Sequence, residues 1–590
     1  MSRWLAAVIA ASYLSVAHDG FAQFTSSGAV LFSAPLAGQS LTGNSQDPAV
    51  SVNSDIVACS SFSENLVSSA LDTNKTGDAF MSAAGKELEV VSRRARSVGE
   101  KEPAPSANGE SVAPSVSPRL QDGGFGVAFQ SKAVDVVSDY INPDPTNGNP
   151  FQVYLRLYPS NKNILISRSV DQGASGVKGG QGRSYSPVVS VIPGAIPKYK
   201  IAFLSEANDL ANSAGTSAAP YLATVTMEKG VEKVEIEALP DPPDAPCADI
   251  AMSGDGRIVA FASFAGNLVA AATGQYLQVF QWIPEPLSGE AELSLISATA
   301  AGQAGNGNSG GPSLSFKGDV RTFITRASNL VAAASSDIGV IALSRVGSSS
   351  ISQVNTYSNG SPSSFPAETA RISPSGLYVA FADQSLLSSV PPARHDFKQI
   401  YLKELTTGQL TVVSATKDGA VGTGGDSGDL SNPDDPSSGA PALGGAGFNS
   451  SSLIVAFNSR ATNLSSQLND RRGVFRTTLT APPPTLTDGL KLSAPPDIQV
   501  RGKKVIIKLQ KFRLGSGSSE VSALAGNVTY RVTTRSAGTN YRTITTTTRN
   551  QVTMANLSPG RYTVSYRVTG GRGSGRATST TSPTTSFTIR

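Results

Sequence analysis

Apolar residues along this chain fall in short runs, alternating or continuous, bounded by Gly, Ser, Asn and Pro. Beyond the first residues no stretch sustains the ~3.6-residue period of an amphipathic helix, so the pattern predicts β-strands joined by turns. One run recurs. Ile-Val-Ala-Cys-Ser-Ser-Phe-Ser-Glu-Asn-Leu-Val stands at 56–67 and Ile-Val-Ala-Phe-Ala-Ser-Phe-Ala-Gly-Asn-Leu-Val at 258–269, with further copies at 126–137, 201–210, 322–331, 378–387 and 454–464. Copies roughly sixty to seventy residues apart predict a repeat architecture.

Each repeat has room for four strands. In the fourth, these are expected at 248–253, 257–263, 277–282 and 293–297, with a tight Ser-Gly-Asp-Gly turn after the first. Strands of this kind suit sheets packed on both faces, as in propeller blades. The Asn of the Asn-Leu-Val triplet is expected to bond its local backbone in a turn, and the Leu and Val to pack between sheets. The seventh repeat runs out after 473–480 with no outer strand, while 30–48 matches the outer strand and connector at 294–312. Residues 28–34 are therefore expected to complete the seventh blade and close the ring, pairing two otherwise open edges.

Copies built on Ser-Gly-Asp-Gly-Arg-Ile-Val-Ala-Phe-Ala-Ser and Ala-Thr-Asn-Leu resemble the TolB-like propeller repeats of secreted bacterial proteins over about 30–480. The resemblance implies a fold and says little of activity, since the repeat occurs in binding proteins and beside hydrolases. After a linker at 481–489, strands with two-residue alternation are expected at 504–512, 527–533, 561–568 and 586–590. Leu-Ser-Pro-Gly-Arg-Tyr-Thr-Val at 557–564 resembles the entry to the penultimate strand of a fibronectin type III domain, with Tyr562 in the tyrosine-corner position. The expected fold is all-β: a seven-bladed β-propeller over 23–480 closed by an N-terminal strand, then an Ig or fibronectin type III-like β-sandwich over 490–590.

Arg3, an apolar run from Trp4 to Val16, and small-residue sites at Ala17 or Ala22 read as a secretory signal over 1–22. The run is too short to span a bilayer, and no later segment approaches the ~18 apolar residues a membrane helix needs. A periplasmic or extracellular location is expected. Cys59 and Cys247 fall in the first and fourth repeats, so two buried free thiols are expected rather than a bridge.

Charge is divided unevenly. Residues 484–590 carry sixteen Lys and Arg against three carboxylates, a net +13 that leaves −9 for the rest of a +4 chain. Arg531, Arg535, Arg542 and Arg567 are candidate contacts for a polyanionic surface. No interleaved aromatic pattern points to sequence-specific nucleic-acid reading.

Candidate catalytic motifs are thin. Gly-Asn-Ser-Gly-Gly at 307–311 fits a nucleophile elbow, yet Ser309 aligns with Ser45 in what the repeat makes a connector, and an elbow needs a strand running into a helix. Gly-Asp-Ser-Gly-Asp at 425–429 has the same explanation, and His395 is expected to be an exposed loop residue. No catalytic residue or cofactor is assigned. Asp72, Asn74, Thr76 and Asp78 place oxygens at alternate positions, which makes Asp72, Asn74 and Asp78 candidate calcium ligands, although Ala83 stands where an EF-hand has its bidentate acid. The long connectors and second-to-third-strand loops should emerge on one face of the ring, the opposite face carrying tight turns. The functional expectation is a secreted, non-enzymatic binding or adaptor protein recognising a protein or glycan on that face, with a basic sandwich for attachment. The alternative is a glycan-active or other hydrolytic enzyme with its site in the central channel.

Overall fold

The computed structural model describes residues 24–480 apart from 84–85, 98, 101–102, 147, 173–175, 212–216, 272, 286–289, 349, 389–393, 429–440 and 446–451. In the C-terminal part it describes 497–501, 504–508, 529–536, 542–547, 551–554, 558–570, 577–578 and 584–589. The expected signal segment and the linker lie outside the described residues.

Ser26–Thr480 is one compact unit, whose described residues form seven four-stranded antiparallel sheets and one small parallel pair, Tyr140–Ile141 with Val177–Lys178. Their innermost strands are Ser45–Val50, Ser111–Val116, Ser184–Ile192, Cys247–Met252, Ser309–Leu314, Ala370–Ile372 and Ala442–Gly445. Each touches the next, and the last touches the first, so the sheets form a closed cycle. This is the architecture of a β-propeller. The seventh sheet takes its outer strand from Thr25–Leu31, set against Gly473–Thr480, with Phe32 and Ser33 donating to the Val474 carbonyl and Thr478 donating to Ser27 Oγ. The closing strand thus begins three residues earlier than the sequence suggests.

The core lies between sheets. Val116, Val127 and Phe129 of the second sheet pack with Ala58 and Met81 of the first, and Phe261 and Trp282 of the fourth with Ala202 and Leu222 of the third. In five sheets a second-strand aromatic stacks on a third-strand aromatic directly opposite, as in Phe129–Tyr154, Phe203–Tyr221 and Phe261–Phe280. Cys59 takes this second-strand position in the first sheet, opposite Phe80.

A buried hydroxyl pair repeats with the same regularity. Ser45 meets Ser61, Ser111 meets Ser131, Ser184 meets Ser205, and Ser309 meets Thr325, each at 2.8 Å. Ser363–Ser385 and Ser427–Ser459 continue the series at 2.8 and 2.9 Å. In five of these pairs the second member's hydroxyl then accepts the backbone N–H two residues on, at Ser63, Ala133, Ala207, Ala327 and Ala461, and Ser263 of the fourth sheet does the same for Ala265, which ends the strand and starts the loop. In the fourth sheet Cys247 stands opposite Ser263 in place of the first hydroxyl. Both cysteines are buried and free, substitutions at repeated positions, and burial raises both thiols, that of Cys247 to about 12.

The inner strands of the first five sheets also share a bulge. Its residue is left-handed at Asp47, Ala113, Ser186, Asp249 and Gly311, with φ of 51°, 54°, 53°, 47° and 58°. The bulge turns an N–H away from its own sheet, and the preceding sheet receives it: Ala113 N–H donates to Ser60 Oγ at 2.9 Å, Ser186 N–H to Gln130 Oε1 at 2.8 Å, and Gly311 N–H to Asp249 Oδ2 at 2.8 Å. Neighbouring sheets are joined by polar as well as apolar contact, which satisfies a donor that would otherwise be buried unpaired.

In the C-terminal unit, Asp497–Arg501, Lys504–Lys508 and Gln551–Met554 form one sheet, and a second contains Arg542–Thr547, Thr529–Ser536, Gly560–Gly570, Ala577–Thr578 and Thr585–Ile589. Val505, Ile507 and Val552 of the first share a core with Val532, Tyr562, Tyr566 and Phe587 of the second. Tyr562 donates its hydroxyl to the Ser558 carbonyl at 2.8 Å, the bond a tyrosine corner requires.

Candidate binding faces

Strand ends divide the ring into two unlike faces. Second and third strands are joined across 62–77, 132–151, 206–218 and 264–277 on one face, which also receives the connectors 91–110, 166–183, 296–308 and 354–369. The other face has the short turns 51–55, 193–197, 315–319 and 373–377.

The triplet Asn organises the long-loop face, though not through the local bond expected of it. Asn267 Nδ2 donates to the Pro242 carbonyl, Asn329 Nδ2 to Ala304 and Asn463 Nδ2 to Val421, while their Oδ1 atoms accept the N–H of Asp244, Asn306 and Thr423. All these partners belong to the connector arriving from the preceding sheet. An amide with both a donor and an acceptor can clip an extended segment at two points, which a turn's own backbone does not offer. Asp135 and Asp209 keep the accepting half of the clip, toward Asn108 and Gln181. Of the apolar residues after the Asn, Leu66, Val67, Leu268 and Val331 are buried as expected, while Val269, Leu330 and Leu464 are only partly so.

Phe62 and Phe264 occupy equivalent positions, one residue past the second-strand serine, and are 38% and 44% exposed on this face. Sequence reading missed them because each looks like a core residue of its strand. Only the hydroxyl pair beneath shows that the strand has already ended.

A cavity of about 270 Å³ lies among the inner strands. Its lining is dominated by Pro48, Pro114, Pro187, Pro312 and small or aliphatic neighbours, with Asp47 and Arg371 the charged members among the lining residues.

Ser309 and Ser427, the serines of the two nucleophile-like motifs, are members of the buried hydroxyl pairs. Ser309 therefore opens an inner strand instead of lying in a connector, and it is 1% exposed. His395 is not in a loop: it lies on Arg394–Glu404, because that strand extends past the bulge to pair Arg394 with Ser385. It is half-buried, its Nε2 is 2.8 Å from Tyr401 Oη, and burial lowers its pKa.

Asp72 and Asp78 come near each other. Asp78 Oδ1 accepts from Ser92 Oγ at 2.6 Å, and the same third-strand position in other sheets is Gln152, Gln278 or Gln399, each accepting from Ser167, Ser297 or Ser414. Those glutamines also donate to the carbonyls of Gly180, Gly305 and Gly422. In the first sheet Asn74 Nδ2 donates to the equivalent Ala107 carbonyl. Asp78 and Asn74 together thus do what one Gln does elsewhere. Asp78 is fully buried with Oδ2 unpaired, and burial, reinforced by the Asp72 carboxyl and opposed by the Ser92 bond, lifts it to about 8. Asp72 rises to about 6 through burial and Glu64. Among the described residues no group of three or more His, Cys, Asp or Glu is arranged to hold a metal.

The four arginines singled out from sequence fall in one sheet of the C-terminal unit. Backbone register sets Arg531 opposite Arg567 and Arg535 opposite Arg542. No helix among the described residues is long and apolar enough to cross a membrane.

Neither a family model nor a curated protein matches the sequence. Among solved structures the chain is similar to a TolB protein of Agrobacterium tumefaciens, at 16% identity over 55% of this chain and 84% of that one, with a TM-score of 0.29. It is similar to the β-propeller domain of Myceliophteria thermophila Cps50 (Swd1), at 10% identity over 76% and 99%, TM-score 0.33. A Mycobacterium tuberculosis puromycin-hydrolyzing peptidase is a third, at 11% identity over 74% and 61%, TM-score 0.31. At such scores the β-propeller description rests on the chain's own closed cycle of sheets.

Proposed function

We propose that this chain is a secreted, non-enzymatic binding or adaptor protein whose ligand, a protein or glycan, sits on the long-loop face of the ring, with the basic C-terminal unit serving attachment. The observation that carries this reading is the asymmetry of the faces: long segments clipped at their feet by the triplet Asn on one side, short turns on the other. Variable loops on a rigid scaffold are where recognition is built. Phe62 and Phe264 add exposed aromatic surface there.

A photo-crosslinking side chain placed at 62 or 264, and as control at 375 on the short-turn face, tests this in the native envelope fraction. Discrete adducts from 62 and 264 with none from 375 are expected. Adducts from 375 alone would place recognition on the wrong face.

A further inference from the structure

The outer strand of the third sheet, Val231–Ala238, is eight residues long and pairs with Ala219–Glu228 without a register break. The outer strands at Glu89–Val90, Lys162–Leu165, Glu292–Leu295, Ser352–Gln353 and Leu410–Val412 run to four residues at most. Thr25–Leu31 is nearly as long but is partly covered, since Ala29 N–H donates to the Ala415 carbonyl. Among the described residues no backbone group from outside its own sheet bonds Val231–Ala238.

The turn at Lys229 and Gly230, left-handed at φ of 51° and 84°, joins the two strands in two residues, so Glu228 and Val231 form a hydrogen-bonded pair. Alternation then turns the N–H and C=O of Val234, Ile236 and Ala238 away from the sheet. A long, unbroken edge recruits another strand unless something blunts it. This one has no Pro and no bulge, and the side chains of Val234, Ile236 and Ala238 pack on the core, which holds it in place. Glu232 is engaged by Lys162 and Arg168, and Glu237 lies 3.8 Å from Lys200. Lys233 and Glu235 remain, 60% and 59% exposed, on the side of the strand opposite Val234.

We propose that this edge pairs with the same edge of a second copy, antiparallel about a two-fold axis centred on Val234. Outward-facing groups recur at every second residue, so the axis of such an isologous pair must pass through a residue. Centred on Glu232, Lys233, Glu235 or Glu237 it sets a charge against its own copy, and centred on Ile236 it sets Glu235 against Glu237. Centred on Val234 it sets Lys233 against Glu235 of the second copy, twice. Opposite charges directly across a sheet stabilise it and like charges destabilise it, so charge selects this register, while main-chain hydrogen bonds supply the affinity. The proposal does not depend on what the loops of the ring bind.

Full-length protein is followed by sedimentation velocity across a micromolar concentration range, where a reversible dimer is expected. Lys233→Glu and Glu235→Lys each reverse two cross-strand pairs and should each weaken association about tenfold or more. Mixing the two variants sets two acids on one chain against two lysines on the other. Association should then return, which a folding defect in either variant would not allow. Val234→Pro removes an outward N–H that the sheet's own ladder does not use, so a folded monomer is expected. A chain that is monomeric throughout, a dimer indifferent to Val234→Pro, or single variants that associate normally or fail to associate on mixing would each overturn the proposal. A monomer that instead binds a synthetic peptide of alternating Val and Lys, and loses it with Val234→Pro, would overturn it in favour of a foreign basic strand.

Discussion

Replacing Asp78 with Asn gives the sharpest test of how the first sheet is held. The Asp78 carboxyl is fully buried and keeps its proton up to about pH 8 in the folded chain, whereas an unfolded carboxyl loses it near pH 4. A folded pKa raised above the unfolded one means that the group favours folding most at low pH. That contribution is lost progressively as pH climbs from about 4 to about 8. Each pH unit in that window costs about 1.4 kcal/mol, so near pH 7 retention of the proton costs at most about 4 kcal/mol. Asp72, lifted to about 6, adds a shorter window of the same sign. Asn preserves the oxygen that accepts from Ser92 and needs no proton. Thermal melts of the unaltered and Asp78→Asn chains, recorded from about pH 5 to about pH 8.5, should converge at the acidic end. At the basic end the variant should be the more stable, by several degrees for a ring of this size. Equal pH slopes, or a variant less stable at the basic end, would refute the protonated-carboxyl reading. A calcium-dependent rise in melting temperature seen only with Asp78 would refute it in a different way, by showing the carboxylate ionised as a cation ligand.

Deleting 24–34 removes the closing strand and leaves the edge of Gly473–Thr480 unpaired; at about 1 kcal/mol for each lost ladder bond a loss of about 5 kcal/mol is expected, and an unchanged denaturant midpoint would count against closure. Cys247→Ser restores the hydroxyl that six other sheets use opposite the second-strand Ser or Thr, so its stability should stay within about 1 kcal/mol of the parent or exceed it, and a larger loss by urea titration would contradict the repeat equivalence. Asn329→Ala removes both halves of one clip, with the Ala304 carbonyl and the Asn306 N–H. A cost of about 1–2 kcal/mol and faster hydrogen exchange confined to 298–308 should follow.

The repeating run was legible because strand, hydroxyl and triplet recur together in nearly every copy. The tyrosine corner was legible because Leu-Ser-Pro-Gly-Arg-Tyr is contiguous. What escaped were features whose partners are distant. The triplet Asn looks like a turn residue until the connector some 23–40 positions away is beside it. The left-handed bulge at Asp47, Ala113 and Ser186 is hidden because none is glycine, and its one local trace is the Pro that follows each. Ser309 sat in a motif suggestive of catalysis, and only pairing with Thr325 shows that a buried strand needs that oxygen. Asp78 drew attention as a metal ligand because spacing alone does not reveal that Gln fills the same place in three other sheets.

The Asn clip also makes this ring a natural acceptor for foreign sequence. Because each connector is fastened at its foot to the triplet of the sheet it enters, length changes distal to the clip stay outside the strand ladder and need not disturb its register. Peptides grafted between 298 and 304 or between 415 and 421, where the feet already approach as isolated bridges, would be displayed from two connectors of the same face, on a frame whose core none of them enters.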